Sequence, residues 1–434
     1  MQKNICIVGL GYVGLTLAVH AAKNGYRVFG VEILDETYEV LSKGKCHFHE
    51  PGIEELLKSL LNKNLFISKK IPSNEKMDVF IVTVGTPLAP ELPKKPNIDI
   101  LDKAINSFKS FIEEDSLVLL RSTIPVGTTR KIEQNLLKEL SLKSVNISFC
   151  PERTAEGKAL VELRSLPQII SGNNEKSLMM ARLFFEPLTD EIVNSASLEE
   201  AELIKLLNNT YRDACFAIAN TFNEIAQSFN VDGNGAIERA NFHYPRSDIP
   251  MPGFVAGPCL EKDAYILASN VENSRLRTFL LSIRSANENV EDRLSQSLVD
   301  VLKNEKFKKI IISGLAFKGV PQTNDMRGSS SIKILEKLKS FKQNIVVHDF
   351  MNSKDEINSV ISFDALEPDG FTNKNKELYD LIIIMNNNPQ YKKIETQQFI
   401  QSQIDTGSKV LDVWNVMELE NQLTITNFFI GEME

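Results

Sequence analysis

One cysteine of the 434-residue chain stands where covalent chemistry could occur. Cys259 lies in the run AGPCLEKDAYIL (256–267), preceded by Gly257 and Pro258 and followed four residues later by Asp263. An isolated cysteine in a soluble protein is more often a small, inert, buried hydrophobe. A nucleophile needs instead an accessible position and a positive neighbour that favours the thiolate. The preceding run PMPGFVAGPC (250–259) is dense in Pro and Gly. That composition shapes a loop, and loops carry function more often than helices do. If a helix starts near Pro258, Cys259 falls in its first turn, where the dipole lowers a thiol pKa; Lys262 is also close in sequence. A cation and an amide, Lys205 and Asn209, lie four residues apart in a stretch without Pro or Gly, hence on one helical face.

A second group of residues suits binding rather than reaction. Gly9-Leu10-Gly11-Tyr12-Val13-Gly14 is a GxGxxG run between a strand pattern and a helix pattern, and the next strand pattern ends at Glu32. Gly9 permits a tight turn, Gly11 lets the backbone approach a pyrophosphate, and Gly14 lets the helix pack close to the strand. The helix that opens at Tyr12 and Val13 offers N–H groups and a positive dipole end to the phosphates. Glu32 stands where a carboxylate accepts hydrogen bonds from ribose hydroxyls and repels a 2′-phosphate, so NAD is expected rather than NADP.

The elements that must position these groups follow from periodicity. NICIV (4–8), RVFGVEI (27–33), MDVFIVTVG (77–85), DSLVLLRST (115–123) and NISFC (146–150) read as strands separated by helices, which predicts a parallel sheet covered on both faces. From Leu198 to Phe229 the apolar residues Leu203, Leu207, Ala214, Ile218, Phe222, Ile225 and Phe229 recur at helical steps. A helix of that length far exceeds the mean of about 11–12 residues. It is expected to join two domains and to pack its apolar face against a second subunit. Strand patterns resume at KKIIISGLAF, NIVVHDF, LYDLIIIMN and KVLDVWN, with helices expected at 329–342 and 389–402. The fold class is therefore α/β: two Rossmann-like domains joined by a helical middle domain with one long central helix. The expected bounds are 1–197 for cofactor binding, 198–300 for the dimerisation domain carrying Cys259, and 301–434 for a second Rossmann-like domain.

Composition excludes several alternatives. The formal charge is −8 with no basic stripe, which argues against nucleic acid. Five widely spaced cysteines with no CxxC pair argue against a disulfide framework and a metal site. The apolar start ICIVGLGYVGLTLAV could pass for a signal peptide, but its spaced glycines, His20 and the following strand argue otherwise. No later run approaches the roughly 20 apolar residues of a spanning helix, so a cytoplasmic protein without membrane insertion is expected.

Six motifs occur in order: GxGxxG at residue 9, RSTIPVGTT (121–129), CPERTAEG (150–157), an NNT-containing long helix, GPCLEKD (257–263) and GLAFKG (314–319). Together they resemble the UDP-glucose/GDP-mannose dehydrogenase family, NAD-dependent nucleotide-sugar 6-dehydrogenases, over nearly the whole chain. The resemblance implies oxidation of a sugar C6 alcohol to a carboxylate in two hydride transfers. An aldehyde has no hydride to give until a nucleophile adds, so a thiohemiacetal and then a thioester are implied. By matching positions Cys259 is the thiol, and Lys205 and Asn209 stabilise charge on the C6 oxygen. Asp263 orders the water, Glu152 is the base for thioester hydrolysis, and Thr123 helps to hold the water. Glu156 matches a supporting carboxylate. Tyr12, Val13, Thr86 (in VTVGTP), Thr123, Lys262 and Arg327 are expected near the cofactor. Arg153, Gly253, Phe317 and Lys318 are expected near the UDP-sugar, and Arg246 is expected to reach it from the neighbouring subunit of a homodimer.

Within the family, Pro151-Glu152-Arg153, the PR of HYPRSDIP and the final Asn of DVWN resemble enzymes of UDP-N-acetylhexosamines, such as UDP-ManNAc and UDP-GlcNAc, and imply a role in surface polysaccharide precursors. UDP-glucose is the alternative substrate. A single-oxidation 3-hydroxyacid-type dehydrogenase and a non-catalytic nucleotide-sugar binder are alternatives of other classes. Ala256 and Pro258 depart from the family's usual Gly-Gly-(His or Ser)-Cys, and Glu32 replaces a commoner Asp.

Overall fold

Short runs of Val, Ile, Leu and Phe, whose branched and aromatic side chains pack well on a pleated surface, form the strands. The computed structural model describes residues 3–89, 94–304, 307–372, 377–417 and 423–424. The expected domain limits at 1 and 434 lie outside the described residues. The chain divides into two units, Met1–Asn209 with Tyr265–Arg277 and Thr210–Ala264 with Thr278–Glu434.

In the first unit, β1 (Asn4–Val8), β2 (Arg27–Val31), β3 (Leu65–Ser68), β4 (Val79–Val82), β5 (Leu117–Leu120) and β6 (Asn146–Phe149) form one sheet in the order β3-β2-β1-β4-β5-β6. All pairs are parallel, with Ile5 opposite both Val28 and Val79. Alternation assigns Ile5, Ile7, Val28 and Leu119 to one core and Cys6, Val8, Phe29 and Leu120 to the other. This is the doubly wound order, whose crevice lies at the carboxyl ends of the strands beside β1. A small parallel pair, β7 (Gln168–Ile170) with β8 (Ile192–Asn194), follows.

The second unit repeats the plan. β9 (Ile310–Ser313), β10 (Ile345–His348), β11 (Asp364–Ala365), β12 (Leu381–Ile384), β13 (Lys409–Asp412) and β14 (Leu423–Thr424) pair in parallel in the order β11-β10-β9-β12-β13-β14.

The long helix runs Leu198–Ser228, 31 residues, close to its sequence-predicted span. A second helix of 30 residues, Ser274–Lys303, has no counterpart in the sequence reading. The helix expected at 329–342 stops at Lys337 and passes into a tighter 3-10 turn, Lys339–Asn344, where Phe341 has φ −109°. At 389–402, Pro389 opens a 3-10 turn, and the helix proper is Ile394–Asp405. Among the described residues no helix is long and apolar enough to cross a membrane.

Candidate active site

The glycine loop is built by sterics. Gly9 has φ +91°, and a Cβ on Gly14 would sit 1.9 Å from the Gly9 carbonyl oxygen. Neither position accepts a side chain. A Cβ on Gly11 would meet nothing within 4 Å, and the helix Tyr12–Lys23 has no side-chain cap at its N-terminus. The result is an open cradle of backbone N–H groups at a positive helix end, which fits a pyrophosphate. Glu32 is buried; its Oε2 accepts the Leu10 N–H at 3.0 Å and its Oε1 the Leu34 N–H at 2.9 Å. The carboxylate thus holds the loop as well as facing it.

The Tyr12 side chain is tied to the segment around residues 155–159. Its hydroxyl donates to Glu50 at 2.6 Å and to the Ala155 carbonyl at 3.2 Å, and burial together with Glu50 pushes its pKa up. Glu50 also accepts the N–H groups of Gly157 and Ala159, so the glycine-loop helix and the segment bearing Glu156 share one anchor. Val13 and Glu156 are half-buried. Thr86 is buried and donates to the carbonyl of half-buried Thr123.

Glu152 has an unexpected partner. Arg121, at the end of β5, donates to Glu152 Oε2 through Nη2 (2.6 Å) and Nε (3.2 Å), and Oε1 accepts the N–H groups of Arg153 and Thr154. Burial alone would raise this carboxyl, but the Arg121 charge and these hydrogen bonds outweigh it, with Lys205 adding to them, and hold it below the usual range. The structure therefore brings Lys205 within electrostatic reach of Glu152. Asn209, one turn on, is buried. Arg153 donates to the Pro167 carbonyl. The sequence reading passes over Arg121, although RST is one of its motifs. It also passes over Glu202, one turn before Lys205 on its helix, whose carboxylate accepts from the Thr129 N–H at 2.7 Å and hydroxyl at 2.6 Å.

In the second unit, Cys259 immediately precedes the helix Leu260–Ser269 rather than lying in its first turn. Its carbonyl accepts the N–H groups of Lys262 (3.2 Å) and Asp263 (3.1 Å), which places Cys259 at the N-cap. It is exposed and makes no disulfide. Burial pushes Cys6 and Cys150 up to about 12 and Cys46 up to about 11, so those thiols stay protonated. Asp263 is buried and paired with Lys262 at 3.1 Å. Gly257 has φ +97°, and a Cβ there would lie 2.5 Å from the Phe317 ring. Phe317 thus packs on the cysteine loop, and the Gly257 N–H donates to the Gly328 carbonyl at 3.0 Å. Lys318 lies 5.3 Å from the Phe317 ring centroid. Gly253 is gripped by Asn220 through both its N–H (2.9 Å) and its carbonyl (3.0 Å). Arg327 pairs with Asp325 at 2.6 Å, and Arg246 is exposed, stacked over Tyr244.

Asp349 follows β10 as Glu32 follows β2, but its Oδ2 takes the N–H groups of both Leu315 and Ala316 and its Oδ1 that of Met351. Burial pushes this carboxyl up. It is closed into the loop, in keeping with a second domain that lacks GxGxxG. Among the described residues no cluster of His, Cys, Asp and Glu could hold a metal ion.

Three regions of the chain match models of the UDP-glucose/GDP-mannose dehydrogenase family: residues 3–189 its NAD binding domain, 199–289 its central domain and 311–419 its UDP binding domain. The UDP-N-acetyl-D-mannosamine dehydrogenase of Methanococcus vannielii is 32% identical over 427 residues, 97% of this chain and 93% of that protein. The solved structure of UDP-D-ManNAc dehydrogenase from Pyrococcus horikoshii is 28% identical, with a TM-score of 0.83 over 98% of this chain and 100% of that one. The UDP-N-acetyl-mannosamine dehydrogenase Cap5O from Staphylococcus aureus is 25% identical, with a TM-score of 0.81 over 98% and 99%.

Proposed function

The chain belongs to the UDP-glucose/GDP-mannose dehydrogenase family of NAD-dependent nucleotide-sugar dehydrogenases, and from that premise we propose that it oxidises C6 of a UDP-N-acetylhexosamine, UDP-ManNAc foremost, to the uronic acid through a Cys259 thioester. The observation that carries the mechanism is the placement of Cys259, an exposed thiol at a helix N-terminus. The choice of sugar is supported by Arg153 in the PER triplet and by relatives named for UDP-N-acetylmannosamine.

NAD, when bound in the glycine cradle, supplies a hydride acceptor. The chain's own groups do the rest. Lys205 and Asn209 stabilise negative charge on the C6 oxygen as the alcohol is oxidised. The Cys259 thiolate then adds to the aldehyde carbon; a C–S bond forms, the carbonyl electron pair moves to oxygen, and the same cation and amide meet the oxyanion. After the second oxidation Asp263 and Thr123 hold a water against the thioester. Its attack forms the carboxylic acid as the C–S bond breaks back to thiolate, and the acid then loses its own proton to solvent. Glu152 takes that water's proton by giving up one of the four donors that hold it.

Exposed apolar residues on the long helix, among them Tyr211 (71%), Phe222 (45%) and Ile225 (49%), support a homodimer covering that face, with Arg246 completing the neighbour's site. The acid product would serve surface polysaccharide synthesis from the cytoplasm.

Counting cofactor turnover tests the reading. We expect two NADH per UDP-sugar, with UDP-ManNAc the best substrate in a panel with UDP-GlcNAc, UDP-GalNAc and UDP-glucose. One NADH per sugar, or full uronate production by Cys259→Ser, defeats it.

A further inference from the structure

We propose that Arg284, together with Asp213 and Asn287, is the positioning group that sets the Cys259 thiol; the inference rests on the nucleophile reading above. All of these residues belong to the second unit. Arg284 comes from the second long helix and Asp213 from the first. The guanidinium is 1% exposed, a cost that only close pairing offsets. Nη1 donates to Asp213 Oδ1 at 2.6 Å and to the Leu260 carbonyl at 3.2 Å, and Nη2 donates to the Val255 carbonyl at 3.4 Å. One planar fork therefore grips the chain on both sides of Cys259, one residue after it and four before it.

Asn287 completes the arrangement. Its Nδ2 donates to the Asp213 carboxylate at 2.8 Å and to the Asp213 carbonyl at 2.9 Å, and its Oδ1 accepts from Asn220 at 2.8 Å. Asn220 in turn holds Gly253 by both backbone groups. The segment from Gly253 to Leu260 is thus fixed to two long helices by a single buried polar cluster. Pro258 gives the loop no N–H of its own to fix it.

Stability alone is a poor account of the cluster. Asp213 Oδ2 is buried without a hydrogen-bond partner, and burial pushes this carboxyl up despite Arg284. Buried ion pairs are often replaceable by apolar residues with no loss of stability. What apolar packing cannot reproduce is a fork that dictates where two carbonyls lie, and with them the residue between. A displacement of about 1 Å of a reacting group can cost on the order of a hundredfold in rate.

The test uses the full-length enzyme with two variants, Arg284→Lys and the double change Arg284→Met with Asp213→Leu. The lysine keeps the charge without the fork; the double variant removes the pair without leaving a lone buried charge. Cys259 alkylation by iodoacetamide, located by peptide mass, is followed beside kcat, KM and Tm. We expect a Tm near that of the unaltered enzyme and a KM for NAD within about twofold. The alkylation rate should change, and kcat should fall, by about tenfold or more. Folded variants whose alkylation rate and kcat both stay within about twofold overturn the inference. An altered alkylation rate with unaltered uronate production upholds the positioning and removes the nucleophile reading, so the two failures are distinct.

Discussion

Arg121 and Glu152 meet with Nη2 and Nε of the guanidinium on one carboxylate oxygen, at 2.6 and 3.2 Å, both side chains buried. Glu152 titrates below its usual range despite burial, because the Arg121 charge and the hydrogen bonds win. In the unfolded chain its pKa is about 4.3, so the unfolded state takes the proton first. The stabilisation is present above that value and is lost as pH falls through the lower native pKa. Arg121→Met should cost about 3–5 kcal/mol by stranding a buried carboxylate, and should remove this loss on acidification. Urea unfolding at a series of acidic pH values reads both; an unaltered acid slope in the variant refutes the coupling.

Gly257 is a position where one methyl group should matter. Its φ of +97° disfavours any side chain by roughly 1–2 kcal/mol, and the added Cβ would lie 2.5 Å from the Phe317 ring. Gly257→Ala should lower kcat by about tenfold or more by displacing the Cys259 thiol beyond Pro258. Gly257→Ala with Phe317→Ala relieves the clash but not the backbone strain, so recovery should be partial. Steady-state rates of the single and double variants decide, and full recovery would exclude the φ argument.

These cases show what the sequence made legible. Most strands of both sheets could be read because runs such as VFIV and LIII are apolar throughout, as parallel strands buried on both faces must be, whereas β3, mostly half-buried, and the two-residue β11 and β14 were not. β7 and β8 escaped because three residues, with β8 partly exposed, leave no pattern. The second long helix escaped for a different reason. Its first buried positions are Arg284, Asn287 and Glu291, all polar, and apolar ones begin only at Leu294, followed by Leu298 and Leu302 with Ser295 between them. A search for an apolar stripe misreads a face that is buried through paired charges. The same holds at the site: Cys259, Lys205 and the glycine loop stand in motifs whose chemistry is plain, whereas Arg121, inside the RST motif, and Arg284, outside any, gain their importance from burial and partners that spacing does not reveal.

Glu32 has two tasks, and a cofactor switch should expose the second. Removing its carboxylate with Glu32→Ala eliminates the repulsion of a 2′-phosphate, yet it also strips the Leu10 and Leu34 N–H groups of their acceptors. Each lost hydrogen bond is worth about 0.5–1.5 kcal/mol, so the KM for NAD should rise by about tenfold. NADP should not become a good substrate, because the loop that must hold it is loosened. Initial rates with each cofactor check this; efficient NADP use by the variant would show that the loop stands without Glu32.

Asp412 should give the second unit a pH dependence opposite to that of Glu152. Its carboxylate ends β13 and accepts the N–H groups of Trp414 (3.1 Å), Val416 (2.7 Å) and Met417 (2.9 Å). Burial outweighs these bonds and raises its pKa to about 6. The unfolded value is about 3.9, so between the two the native state binds the extra proton. Stability from this group is therefore full below about pH 3.9 and declines as pH rises through about 6, at up to about 1.4 kcal/mol per pH unit. Other buried acids of the unit, Asp349 and Asp213, are raised as well and slope the same way. Asp412→Asn should subtract one proton's share of the slope and leave theirs. Trp414 is the chain's one tryptophan and lies within this turn, donating its indole N–H to the Met385 carbonyl at 3.0 Å. Its fluorescence during urea unfolding reports the transition directly, and an Asp412→Asn slope equal to that of the unaltered chain across pH 4 to 6 would assign the dependence to the other acids alone.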